Sequence, residues 1–323
     1  YDGVVFVPLA RLVGKIIPRD EAQMAWKKTC MDMADCIVFW AQRPGLTTNT
    51  EYGMYLKSGK AILGHPPTAD AVKYLDWHAQ REYVPVFTDL RETLIAAVER
   101  LGEGVERTGG EREVPLHIWR TSQFQTWYTA QKAAGHRIEH AQFLWHYRVG
   151  KKKEHVYAYA IRFEMYIPSE DRIKAEVVVA RPDTCSVVAH CPPVAGGDPL
   201  DTEILLIREC RLAASVGDCF VREVPSGSTW KKGKDPKQVA ADEQSEETGL
   251  EVDASRLRYL GTRQLASTFS SHQAHVFTNI LTPDEMAQLK AQWGTKHGIP
   301  GSEEQTYIEV YTLRQLLLQP LTD

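Results

Sequence analysis

Four short apolar runs, Val4–Pro8, Cys36–Trp40, Ala61–Gly64 and Val84–Phe87, punctuate the first hundred residues, and none is longer than a strand. Segments with helical spacing accompany them. Asp20–Met33 offers Met24, Cys30 and Met33 to one buried face, Glu51–Ser58 is a short helix stopped by Gly59, and Leu90–Leu101 is a third. Continuously apolar strands have no solvent face and need cover on both sides. The expected fold class is therefore α/β, opening with a Rossmann-like parallel sheet covered by helices.

The polar, glycine-rich stretch from Leu101 to Glu113 breaks this pattern, so the chain is expected to divide into a first domain at 1–101, a linker at 102–113 and a second region at 114–323. Beyond it comes a helix at Ser122–Ala134, then β-rich segments at Gln142–Val149, His155–Ile167, Ala175–Ala180, Ser186–His190 and Glu203–Arg208. A helix at Val239–Thr248 and strands at Gln273–Asn279 and Thr306–Tyr311 follow. The aromatics between 113 and 172, Trp119, Phe124, Trp127 and Tyr128 among them, read as core. A length of 323 residues suits two such domains.

A net charge of -4 argues against an extended nucleic-acid footprint, and no apolar run reaches the roughly 18 residues of a membrane span. The six cysteines show no C-x-x-C spacing and read as reduced and mostly buried, which with no visible signal peptide points to the cytoplasm. The chain opens at Tyr1 close to a strand, so residues ahead of it are expected to be missing.

The sharpest motif runs from Pro225 to Leu250. On a helix Glu243, Glu246 and Glu247 fall at i, i+3 and i+4, so three carboxylates share one face. Alone they repel one another, and a divalent metal turns that repulsion into coordination. Pro236 suits the first turn and Gly249 the stop. The segment resembles the Nudix box, G-x5-E-x7-R-E-U-x-E-E-x-G-U, matching at Gly227, Glu243, Glu246, Glu247, Gly249 and Leu250. It departs at Ser228 (glycine in the box), Lys234 (glutamate), Asp242 (arginine) and Gln244 (aliphatic). The resemblance implies a Nudix α/β/α sandwich over about 140–320. It also implies a Mg²⁺ or Mn²⁺ ion held by Gly227, Glu243, Glu246 and Glu247, with activated water attacking a pyrophosphate and Glu247 counted as catalytic. A further metal or base glutamate is expected in the loop before the last strand, at Glu303 or Glu304. Asp242 would add a carboxylate near the metal face, and His272 and His275 read as structural.

A second constellation lies near the N-terminus. After the strand opened by Ala34-Asp35 comes a loop with Thr47, Thr48 and Asn49, and Glu51 is expected in the first turn of the next helix, where the dipole favours an ionised carboxylate. The arrangement, with Gly53 and the Ser58-Gly59-Lys60 lead into the next strand, resembles the nucleoside 2-deoxyribosyltransferase superfamily, which includes nucleotide N-glycosidases. That likeness implies Glu51 as the nucleophile at an anomeric carbon. Asp35, Trp40 and Asn49 are candidate substrate contacts. Lys27 stands where the family carries a second acid.

The expected function is Nudix-type hydrolysis of a nucleoside diphosphate linked to X, ADP-ribose or an NAD-related molecule, coupled to the N-glycosidase-like domain. The alternative is a catalytically weakened nucleotide-binding sensor or scaffold. The expected partner is a small nucleotide, and a homodimer is compatible with this reading.

Overall fold

The computed structural model describes residues 4–6, 21–43, 45–215, 217–228, 233–298 and 305–318, and the chain divides into two compact units, Tyr1–Ala180 and Arg181–Asp323. It is mixed α/β. Of the strand expected at Val4–Pro8, residues 4–6 adopt no regular element and 7–8 lie outside the described residues.

The first unit opens with helix α1 (Glu21–Met33), strand β1 (Ile37–Trp40), α2 (Leu46–Tyr55), β2 (Ala61–Gly64), α3 (Lys73–Arg81), β3 (Val86–Phe87) and α4 (Leu90–Leu101). The strands form a parallel sheet in the order β1-β2-β3, with Ile37 beside Ala61 and Leu63 beside Val86. The central strand β2 is buried along its whole length, which is why it reads as an uninterrupted apolar run. Phe39, Tyr52, Tyr55, Leu63, Leu75 and Ala79 pack in one core. The Asp89 carboxylate caps α4 by accepting the Glu92 N–H. Helix α3 was not expected from the sequence.

The rest of this unit holds α5 (Leu116–Trp119), α6 (Ser122–Ala133) and the antiparallel meander β4 (Arg137–Val149), β5 (His155–Ile167), β6 (Arg172–Ala180). Of the aromatics expected in a core, Trp119, Phe124 and Tyr128 pack there with Tyr159 and Phe163, whereas Trp145 and Tyr147 are exposed. The stretch 102–113, expected as a linker, is a built part of this unit. Arg107 is buried, ion-paired to Asp35, and donates to the Val114 carbonyl at 2.6 Å. Buried Glu111 accepts from Tyr128 Oη at 2.7 Å and Lys132 Nζ at 2.9 Å. Glycines and charges made the stretch look like solvated chain, but here the charges find partners distant in sequence.

The second unit comprises β7 (Thr184–Cys191), β8 (Glu203–Cys210), β9 (Phe220–Glu223), β10 (Ser226–Gly227), α7 (Pro236–Thr248), β11 (Arg258–Gln264), β12 (Gln273–Ile280), α8 (Pro283–Ala291), β13 (Lys296–His297), β14 (Thr306–Thr312) and α9 (Leu313–Leu318). Its mixed sheet runs β11-β12-β7-β8-β14-β13, with β10 added on β7 and β9 on β8. The pair β12–β7 is parallel and the other pairs are antiparallel. Val239, Ala240 and Ala241 of α7 and Met286 and Leu289 of α8 share a core with Val187, Leu205, Phe277 and Ile308.

One cysteine expectation is corrected. Cys210 and Cys219 form a disulfide, because the β8–β9 hairpin sets their Cα atoms 4.8 Å apart. Cys30, Cys36, Cys185 and Cys191 are free. Among the described residues no helix is long and apolar enough to cross a membrane.

Candidate functional site

Helix α7 starts and stops as its sequence reads: the Asp235 side chain accepts the Lys237 N–H, Pro236 opens the first turn, and Gly249 ends it in the left-handed region at φ 66°. Its buried face carries Val239, Ala240, Gln244, Glu247 and Thr248. This orientation sorts the three glutamates. Glu247 is turned inward, 9% exposed, and its Oε2 accepts the Ser226 N–H of β10 at 3.0 Å. Glu243, one turn earlier, lies against Gly227 so closely that a Cβ there would overlap its carboxylate. The glycine is therefore required by that close approach. Glu246 is exposed, so the structure brings Glu243 and Glu247 together with Gly227 and leaves Glu246 at the solvent edge.

Burial, then the charges of Glu243 and Glu209, push the Glu247 carboxyl up to about 9, against the opposing Ser226 N–H and Arg211 guanidinium. Arg211 bridges two further acids, Glu209 at 2.9 Å and Glu223 at 2.6 Å. The sequence reading missed Glu209, although its signal was present. Leu205, Ile207 and Glu209 alternate on the buried face of β8, and a carboxylate continuing an apolar period of two is out of place. Glu303 and Glu304 lie outside the described residues. Among the described residues no three His, Cys, Asp or Glu side chains are grouped to hold a metal ion.

The departures from the box have local explanations. Lys234 and Asp242 pair with each other at 3.0 Å, and Gln238 also donates to Asp242 at 2.8 Å. Asp242, expected to add a carboxylate near the metal face, is engaged by Lys234 and Gln238. Gln244 is fully buried, and its Oε1 accepts from Asn279 Nδ2 of β12 at 3.2 Å. The other atom of each amide, Gln244 Nε2 and Asn279 Oδ1, is buried with no partner. An orphaned buried group costs about 1–3 kcal/mol, whereas removing both partners is near neutral. Gln244→Leu alone should thus destabilise the protein by about that amount, and Gln244→Leu with Asn279→Leu should recover it in urea denaturation. Additive losses would refute the pairing.

His272 and His275 are satisfied structural groups as expected: His272 Nδ1 lies 2.5 Å from Ser270 Oγ, and His275 lies 3.0 Å from Thr262 Oγ1 and 3.4 Å from Asp183.

In the first unit α2 begins at Leu46, so Glu51 is mid-helix and not in the first turn. The chain turns helical directly after Gly45, taking Thr47, Thr48 and Asn49 into the helix, and Asn49 is exposed. Glu51 is met instead by Lys27 of α1, 2.7 Å away. Asp35 and Trp40 are also separated. Asp35 precedes β1 and is ion-paired to Arg107, while Trp40 ends β1, packed where a Cβ on Gly64 would come within 2.7 Å of its ring. Five residues of strand span roughly 16 Å, so the two do not converge on one small group. Beside Trp40 the sequence reading missed His65, buried at the end of β2 and 3.0 Å from Asp76 of α3. A histidine after an apolar strand was its only signal.

No protein-family model matches the chain, and no curated protein matches it.

Proposed function

We propose that the second unit is a divalent-cation-dependent hydrolase of a nucleoside diphosphate linked to X, as Nudix enzymes are. The observation that carries this reading is the buried acid cluster: Glu247 fixed by the Ser226 N–H, with Glu243 and Glu209 charging the space around it. Carboxylate oxygens suit a hard cation, and mutual repulsion is the state such an ion relieves. Glu243 and Glu247, with the Gly227 carbonyl, would hold it, and Glu246 stands at the open edge. When bound, Mg²⁺ or Mn²⁺ supplies a water of lowered pKa and offsets charge on the diphosphate. The chain's own part is to aim Glu247 through Ser226 and to keep room at Gly227.

The test is product release from ADP-ribose with Mg²⁺ and with EDTA. Phosphate-ester products should require the metal. Mg²⁺ at about a hundred times its Kd should also stabilise the protein by about 2.7 kcal/mol, read as a raised melting temperature. Absence of both effects would overturn the reading.

For the first unit the Lys27–Glu51 ion pair favours a different reading, nucleotide binding without glycosidic cleavage. A nucleophile held by an ammonium, with no second acid at that position, lacks both a free carboxylate and a proton donor for the departing base. AMP, whose adenine must be protonated as it leaves, should therefore yield no free base. Base release that Glu51→Gln removes would instead make this unit an N-glycosidase.

A further inference from the structure

The residues leading into β2 form one wall of a cavity of about 850 Å³ within the first unit, at the opposite end of the parallel sheet from Trp40 and His65. Gly59 takes φ +76°, and a Cβ there would stand 2.7 Å from Arg148 Nη2 and 3.0 Å from the His117 ring. Lys60 follows, 4% exposed, its ammonium donating to the Asp32 carbonyl. Arg100 reaches in from α4 and donates to the Ala61 carbonyl at 2.9 Å. Arg148 comes from β4, where the ladder with β5 slips between Tyr147 and Arg148, and both of these consecutive residues line the cavity. Bulges of this kind re-aim side chains.

The charge is one-sided. Seven Lys and Arg line the cavity against three Asp and Glu, and two of the cations, Lys28 and Lys57, already pair with Asp32 and Glu82. Glu82 faces Lys57 at 3.6 Å, Asp32 takes Lys28 and the Tyr55 hydroxyl, and Glu113 accepts the Ala141 N–H at 2.7 Å. Arg148 has a buried Nε without a hydrogen-bond partner. His117 and His146, 3.0 Å apart, both stay neutral near pH 7. Burial, then Arg148, holds His146 down to about 4. Burial, then His146, Arg148, Lys60 and Arg100, holds His117 well below the usual range. Holding Lys60 and Arg148 largely out of water is costly, and a bound anion offsets that cost.

We propose that this cavity binds a phosphorylated small molecule, with Arg148, Arg100 and Lys60 around its phosphate. Guanidinium forks match phosphate oxygens in pairs, and a buried lysine adds a point charge. The doubly charged phosphomonoester fits three cations better than a carboxylate does. The volume suits a nucleotide-sized ligand, and Phe143, Trp145 and Tyr147 of β4 supply aromatic surface for a base or sugar.

Calorimetric titration of the full chain, in EDTA to silence the metal site, tests this with inorganic phosphate, AMP and adenosine. AMP should bind saturably and adenosine should not. Arg148→Met should weaken AMP about tenfold or more. Lys153→Gln, in the turn between β4 and β5 on the cavity lining, should weaken it about two- to fivefold and guards against misfolding in the first variant. Phosphate binding as tightly as AMP would make the phosphate alone the ligand, and a much tighter AMP would make it the nucleotide; either result supports the site. No saturable binding of phosphate or AMP to the wild type would overturn it. So would an AMP affinity unchanged in both variants.

Discussion

Glu247→Gln should lose Mg²⁺-dependent cleavage of ADP-ribose by about a hundredfold or more while the metal-free protein melts no earlier than wild type. The amide keeps the shape of the side chain and an oxygen for the Ser226 N–H, so the α7–β10 contact survives. Without metal, burial and the charges of Glu243 and Glu209 already keep this carboxyl protonated near pH 7. Exchanging a neutral acid for a neutral amide should leave stability there little changed. The combination is diagnostic, since a merely structural residue would lose stability together with activity. Steady-state rates and melting curves in EDTA read the two effects separately. Undiminished cleavage would remove Glu247 from the chemistry.

Acidification should destabilise the first unit through His146. Its folded value of about 4 lies below the ordinary 6.5 because burial, then Arg148, penalises the imidazolium. The unfolded chain therefore binds the proton more readily, so this contribution is complete above pH 6.5 and fades as pH falls towards 4. The linkage amounts to about 2 kcal/mol by pH 5 and about 3 kcal/mol by pH 4, with His117 acting in the same direction. Urea denaturation in phosphate-free buffer at pH 7 and pH 5 measures it, with His146→Gln as the control that loses this slope. Parallel pH dependence in wild type and variant would show that the histidine is not buried as a neutral ring.

What could be read from the chain alone was local and periodic. The apolar runs at 37–40 and 61–64 are strands because no polar face interrupts them, and α7 is bounded by Asp235, Pro236 and Gly249 because caps act on neighbouring backbone. That Gly227 and Glu243 lie together was implied only by the resemblance to the Nudix box; their close approach itself is a feature of the fold.

Partnerships across the fold were not legible. Arg107 joined to Asp35, Lys27 to Glu51, Lys234 to Asp242 and Gln244 to Asn279 are all pairings between different elements or segments. They decided that 102–113 is packed chain, that Glu51 is ion-paired and that Asp242 is engaged by Lys234. Glu209 and the basic cavity around Arg148 belong to the same class. The physical reason is range. Propensity, capping and hydrophobic period act over a few residues along the backbone, whereas burial and charge pairing depend on which distant segments meet, and only the tertiary structure brings those together.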